Sequence, residues 1–394
     1  MPNALTARLA ADLARCEAEG RKRTRRTLET AQGTRVVVDG RERMAFASND
    51  YLGLACHPDV VAAARDGAAR WGVGAGASHL VAGHFTAHAA LEAELAAFVR
   101  PCAGALALTF SCGYLANLAI LTALAGRNDA IFGDRLNHAC LNDGALLARA
   151  EFVRYPHADM AALETRLAAS KARRKLIATD AVFSMDGDIA PLPALIELAE
   201  AHDALLVVDD AHGFGVLGSA TAPGRGALAH FGLESERIVY MGTLGKAAGV
   251  AGAFVAAHPA VIEALMQTAR AYIFTTAPPP LLAEALRASV RIIRDDVARH
   301  RHLARLIARF RNAMRETPWR LLDSHTAIQP VIVGGNEAAV ELSTALWDRG
   351  FWVPAIRPPT VPKGTARLRI SLSAAHSTDD VDALVAALAA LAPR

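Results

Sequence analysis

The chain has 394 residues and is 53% hydrophobic, enough for a large core with a smaller second domain. Its formal charge of +3 is slight for that length, so neither nucleic acid nor an anionic membrane surface is called for as a partner. Five scattered cysteines (Cys16, Cys56, Cys102, Cys112, Cys140) lack CxxC spacing and read as reduced thiols of a cytoplasmic protein, not as a disulfide framework.

Residues 1–50 read as an N-terminal segment. Leu5, Leu9 and Leu13 give it an amphipathic opening, a basic run follows from Arg21 to Arg26, and Asp39-Gly40 marks a hairpin. The basic run has no interleaved aromatics, so a solvated helix end is the expectation. Asp12, Glu17 and Glu19 argue against a mitochondrial presequence; a signal-peptide core and a membrane-length apolar stretch are not expected.

Residues 51–280 alternate between periods. Helices are expected over 58–71, 89–99, 114–125, 137–150, 160–170 and 192–202, with strands at 106–110, 175–179 and 205–208. Strands separated by helices predict an α/β domain with a mostly parallel sheet covered on both faces. The run Ala277-Pro278-Pro279-Pro280 breaks the pattern. A long helix through Arg311 and shorter elements after it predict a smaller α+β domain over 281–394.

The stretch Ala204-Leu205-Leu206-Val207-Val208-Asp209-Asp210-Ala211-His212-Gly213 reads as a buried parallel strand running into acids and a histidine. Ligands of open α/β sheets lie beyond such strand ends, which makes Asp209 and His212 candidates for chemistry. A second strand, 237–241, runs into glycines and Lys246. A lysine amine in a water-poor pocket loses its proton readily and condenses with a carbonyl. Ser111-Cys112-Gly113-Tyr114 follows the strand ending at Phe110, and its free N–H groups at a helix start suit a phosphate. Gly72-Val73-Gly74-Ala75-Gly76-Ala77-Ser78 matches neither common nucleotide loop. His84 and His88 have i,i+4 spacing but no carboxylate at ligand distance in sequence, so they read as packing or surface histidines and no metal is expected.

Four motifs in order, Asn49-Asp50-Tyr51-Leu52-Gly53-Leu54, Val182 to Asp188, Asp209-Asp210-Ala211-His212-Gly213 and Thr243-Leu244-Gly245-Lys246, resemble the α-oxoamine synthases over nearly the whole chain. These are homodimeric pyridoxal-phosphate (PLP) enzymes of the aspartate-aminotransferase-like fold, which join an amino acid to an acyl thioester and lose carbon dioxide. The segment Ala355 to Arg369, with Pro358-Pro359-Thr360, is most similar to the members that use L-alanine and a pimeloyl thioester, on coenzyme A or a carrier protein, in biotin biosynthesis. The resemblance implies roles. Lys246 carries the cofactor and then acts as acid and base. Asp209 pairs with the ring nitrogen, His138 stacks on the ring, and His212 and Ser184 donate to its oxygen. Gly113, Tyr114 and Thr243 cradle the phosphate, and Thr275 or Thr276 reaches the partner subunit's phosphate. Arg357 grips the alanine carboxylate with Asn49 nearby, while Arg25 and Thr360 meet the acyl substrate. The chain departs from the family at its glycine-rich loop with His79, at Asp180 where glutamate is common, and at Leu244. A sister synthase using glycine, or a non-catalytic binding protein on this fold, is the alternative; intact Lys246, Asp209, His138 and Arg357 oppose the second.

Overall fold

The computed structural model describes residues 4–19 and 22–392, so Arg21 of the basic run lies outside the described residues. The chain divides into two compact units, Asn49–Ala304 and, together, Met1–Ser48 with Arg305–Arg394.

The larger unit is built on seven strands: β1 Leu106–Phe110, β2 Ala130–Asp134, β3 Glu151–Tyr155, β4 Lys175–Asp180, β5 Ala204–Asp209, β6 Ile238–Thr243 and β7 Ala253–Ala257. Their spatial order is β1-β7-β6-β5-β4-β2-β3. Only β7 runs against its neighbours β1 and β6; the remaining pairings are parallel, as expected. A parallel pair needs a long crossover, here supplied by helices such as Gly113–Leu124 and Leu192–Ala201. Every residue of β2, β6 and β7 is buried, which explains their continuous apolar runs. Ile131, Leu176, Val207, Val239 and Val255 meet Ala116, Ile120 and Leu121 of the helix Gly113–Leu124. Each such fully buried aliphatic side chain contributes about 1.5–3 kcal/mol. The strand register puts Asp180 beside Asp209, and Asp209 beside Met241 of β6. The carboxyl ends of β4, β5 and β6 thus lie side by side, and that common edge carries the site.

The expected boundary at residue 280 is displaced. Pro280 occupies the first turn of the helix Pro280–Asp295, where its missing N–H costs nothing. That helix buries Ala283, Leu286, Val290 and Ile293, and lies so close to the helix Pro58–Trp71 that a Cβ on Gly67 would sit 3.0 Å from the Leu281 Cα. Its Ser289 hydroxyl donates to the Ala248 carbonyl at 2.7 Å. The proline run therefore starts an integral helix of the larger unit. The expected single long helix is two, because Asp296 leaves helical geometry and its carboxylate accepts the Arg299 N–H, opening Val297–Met314.

In the second unit, Arg35–Val38 and Arg41–Ala45 form the expected hairpin, with Asp39 and Gly40 both at positive φ (49° and 71°). Residues 44–45 pair in parallel with Phe351–Trp352, which ties the opening segment to the C-terminal one. A four-stranded antiparallel sheet, Arg320–Leu321, Ile328–Gly334, Ala366–Ser371 and Ala355–Ile356, completes the unit. The helix Ala4–Ala18 leaves Leu5, Leu9 and Leu13 exposed. No helix among the described residues is long and apolar enough to cross a membrane.

Candidate active site

Lys246 follows the end of β6 by three residues, on a loop closed by Leu244 N–H to Gly252 O (2.8 Å) and Val250 N–H to Leu244 O (3.1 Å). Buried Leu244, Ala247 and Ala248 anchor that loop from below. Gly249 has φ 70°, and a Cβ there would fall 2.5 Å from the Leu54 backbone, so glycine is required. The half-buried Lys246 Nζ lies 2.9 Å from His212 Nε2. His212 Nδ1 is 2.7 Å from the Tyr51 hydroxyl, which donates to Asn49 Oδ1 at 3.0 Å. One tautomer satisfies this chain: Nδ1–H donates to the tyrosine oxygen, and Nε2 accepts from the Lys246 amine.

Asp209, at the end of β5, is 3% exposed. Its Oδ2 accepts from Asn117 Nδ2 at 2.6 Å and its Oδ1 from the Ala211 N–H at 3.0 Å. Asn117 also reaches Cys140 Sγ at 3.1 Å, and that sulfur lies 2.9 Å from His138 Nδ1. Burial, reinforced by the charge of Asp209, pushes the Cys140 thiol far up, so it stays a thiol. Asp180, the shorter acid of β4, accepts the His138 N–H at 2.6 Å and thereby fixes the backbone that carries this histidine. Burial raises the Asp180 carboxyl well above the ordinary range, and the charge of Asp209 adds to it. Desolvation lowers His138, against the pull of Asp209 and with the push of Lys246. Lys246, Asp209, Asp180 and His138 are therefore within electrostatic reach of one another.

Beside them the helix Gly113–Leu124 begins at Cys112, which supplies no side-chain cap. Its first-turn N–H groups thus lack an N-cap side chain, which suits an anion at this end. Thr243 Oγ1 comes within 3.8 Å of where a Gly113 Cβ would stand and donates to Gly252 O at 3.2 Å. The Tyr114 hydroxyl donates to Asp143. Ser184 sits half-buried in a turn closed by Gly187 N–H to Phe183 O at 2.7 Å. Thr276 bridges to Ser78 of the glycine-rich loop, and Thr275 precedes it.

Arg357 and Thr360 belong to the second unit. There they line a cavity of about 590 Å³ with Lys22, Arg26, Trp347 and Trp352. The Arg26 guanidinium lies 3.7 Å over the Trp347 ring. Arg25 and Arg26 are both exposed; Arg26 lines the cavity and Arg25 does not.

His79, His84 and His88 converge, with His79 Nδ1 2.9 Å from His84 Nδ1. Both nitrogens of His88 are committed to protein groups, Nδ1 to the Phe85 N–H and Nε2 to the Pro278 carbonyl. His79 stacks on Tyr272, and burial pushes it down to about 3. With Nδ1 accepting and Nε2 donating, His88 has no lone pair left for a third ligand position.

The model of the family described as aminotransferase class I and II matches residues 41–388. The 8-amino-7-oxononanoate synthase of Aromatoleum aromaticum is 60% identical, covering 97% of each chain. A solved structure of SPT holding PLP superposes with TM-score 0.90 at 31% identity, covering 98% of each chain. That of 8-amino-7-oxononanoate synthase from Francisella tularensis gives 0.76 at 29%, covering 89% of this chain and 97% of that one. The strand order, the lysine after β6, the acid ending β5 and these likenesses agree: the chain belongs to the aminotransferase class I and II family, among relatives that are 8-amino-7-oxononanoate synthases.

Proposed function

We propose that the chain is a PLP-dependent acyltransferase that condenses L-alanine with a pimeloyl thioester. The products are 8-amino-7-oxononanoate, carbon dioxide and free thiol, a step of biotin biosynthesis. The observation that carries this reading is the placement of Lys246 and Asp209 on adjacent strand ends, each with its own hydrogen-bonded support.

The residues present fit PLP. Lys246 would hold it, with Asp209, His138, His212, Ser184, Thr243 and the uncapped helix start at Gly113 and Tyr114 as further holders. When bound, PLP supplies an aldehyde for imine formation and an electron sink for negative charge at the substrate α-carbon. Asn117 and the Ala211 N–H keep the Asp209 carboxylate pointed at one place, so that it holds a proton on a ring nitrogen. His212 accepts from the Lys246 amine and so orients the group that moves the α-proton. Arg357 grips the alanine carboxylate by its planar fork, with Asn49 as a further contact. Arg25 and Thr360 meet the acyl donor. A homodimer, with Thr275 or Thr276 contributed across subunits, and a cytoplasmic location complete the reading; the five free thiols support the second.

The test is product formation from pimeloyl-CoA, and from the pimeloyl carrier protein, with L-alanine against glycine. Alanine is expected to be preferred with at least one donor; a preference for glycine would reassign the reaction to a sister synthase. Lys246→Ala is expected to lose turnover and the visible absorbance that PLP gives the wild type. Full activity in that variant would refute the role of the lysine.

A further inference from the structure

We infer that His157 is a positioning residue, a charged brace that holds the loop carrying His138 at a fixed distance from the turn carrying Ser184. The consequence for catalysis rests on the PLP reading above; the brace itself rests on geometry. His157 follows the edge strand β3, in a segment to which neither the motifs nor the proposed chemistry assigns a role. Its Nδ1 lies 3.1 and 3.2 Å from the two oxygens of Asp134, and its Nε2 lies 2.8 Å from Asp188 Oδ2. The ring stands edge-on to Phe183, with centroids 4.4 Å apart at 88°.

Each carboxylate organises one side. Asp134, which is 1% exposed, ends β2 and accepts the N–H groups of Leu136 and Ala158, both at 2.8 Å. Asn137 N–H returns to the Asp134 carbonyl at 3.2 Å, and His138 comes next. On the other side, the Asp188 carbonyl accepts the Phe183 N–H at 3.0 Å and closes the turn that contains Ser184. His138 and Ser184 lie 46 residues apart in sequence, and His157 spans the two loops that present them.

A neutral imidazole has one N–H, so donation to a carboxylate at each nitrogen requires the imidazolium. Burial opposes that charge, but the two acids outweigh it and hold His157 protonated up to about 10. Tyr155 and Asp180, which also feel the charge of Asp134, are both raised by burial. The brace is thus permanent through the neutral range and neither switches nor relays protons. A second feature points the same way. Ala158 adopts φ 52°, a left-handed conformation rare for a residue with a Cβ, and Asp134 Oδ2 holds its N–H there. The chain tolerates this bend in the turn that sets His157 between its two partners.

The experiment uses the PLP-loaded enzyme with His157→Gln, His157→Arg and Asp188→Ala. Circular dichroism of the bound cofactor reads ring orientation, and PLP affinity, kcat and the alanine KM are measured beside it. In His157→Gln, kcat is expected to fall about ten- to hundredfold, the cost of slight misplacement of reacting groups. The visible dichroism should weaken while KM changes by less than about threefold, and His157→Arg should recover most of both because it restores a doubly donating cation. Wild-type dichroism and kcat in His157→Gln would overturn the inference. Should that variant fail to fold, Asp188→Ala, which cuts one leg only, decides: an unchanged dichroism there refutes the brace. A wild type with no visible PLP band would instead sink the functional reading, and the catalytic role of His157 with it.

Discussion

Asn117 shows how much a single buried amide can govern. Its Nδ2 donates to Asp209 Oδ2 at 2.6 Å inside a helix that is otherwise almost wholly apolar. A hydrogen bond to a charged group is worth about 1.5–3 kcal/mol, and its loss leaves the carboxylate free to turn. Asn117→Ala is therefore expected to lower kcat by about ten- to hundredfold, since each 1.36 kcal/mol is a factor of ten, with a smaller change in the alanine KM. Wild-type kcat in a steady-state assay would show that the Ala211 N–H alone holds Asp209. Lys246, Asp209 and His212 were legible in the sequence because strand ends, glycines and acids stand together there. Asn117 and Tyr51 were not, because their partners lie 92 and 161 residues away and no local pattern joins them. A lone asparagine in an apolar helix was the available signal for the first. Tyr51 stood within a recognised motif but without a role. Arg25 stays exposed and apart from the cavity that Arg26 lines with Arg357 and Thr360, and its role toward the acyl substrate rests on the resemblance and not on any local spacing.

The elements themselves were mostly legible where hydrophobic periodicity was strong. The helix Pro58–Trp71 and the strand Leu106–Phe110 run as expected, and most other predicted elements shift by one to three residues at their ends. What failed was the reading of Pro278-Pro279-Pro280 as a boundary: local chemistry cannot distinguish a linker from a helix start whose apolar face finds a core. The antiparallel direction of β7 was equally invisible, because a strand buried on both faces looks the same in either direction. The turn after β3 gives a prediction at this scale. Ala158 holds φ 52° where glycine pays no Cβ penalty, although glycine gains entropy in the unfolded chain. The left-handed cost of roughly 1–2 kcal/mol outweighs that entropy of roughly 0.5–1 kcal/mol. Ala158→Gly should stabilise the apo-protein by roughly 0.5–1 kcal/mol, read as a higher denaturant midpoint at unchanged slope. A lower midpoint would mean that the bend carries no strain.

Across the whole molecule, buried acids and buried histidines pull stability in opposite directions with pH. Glu92 is raised to about 7 by burial, against the N–H and hydroxyl that Thr109 donates. Asp210 is raised to about 7 by burial, against the Ala227 N–H and the Tyr240 hydroxyl. A carboxyl whose pKa rises on folding adds stability that is full below its unfolded value and is lost as pH climbs through 7. Burial lowers His79 to about 3 in the larger unit and His376, stacked on Phe46, to about 4 in the second. Their stability is present above the ordinary histidine value and is lost as pH falls through 4 and 3. Between about 4 and 6.5 the two trends oppose each other, whereas above 7 only the desolvated carboxylates remain as a cost. Glu92→Gln removes one such cost and keeps an oxygen to accept from Thr109. Relative to wild type it should stabilise the apo-protein at pH 8 by of order 1–3 kcal/mol and leave it nearly unchanged at pH 4, where Glu92 is already neutral. Every other titrating group is common to the two proteins, so the difference between their melts at the two pH values isolates this carboxyl. A gain of equal size at both pH values would show that the substitution acts through packing, and that Glu92 does not carry a buried charge above neutrality.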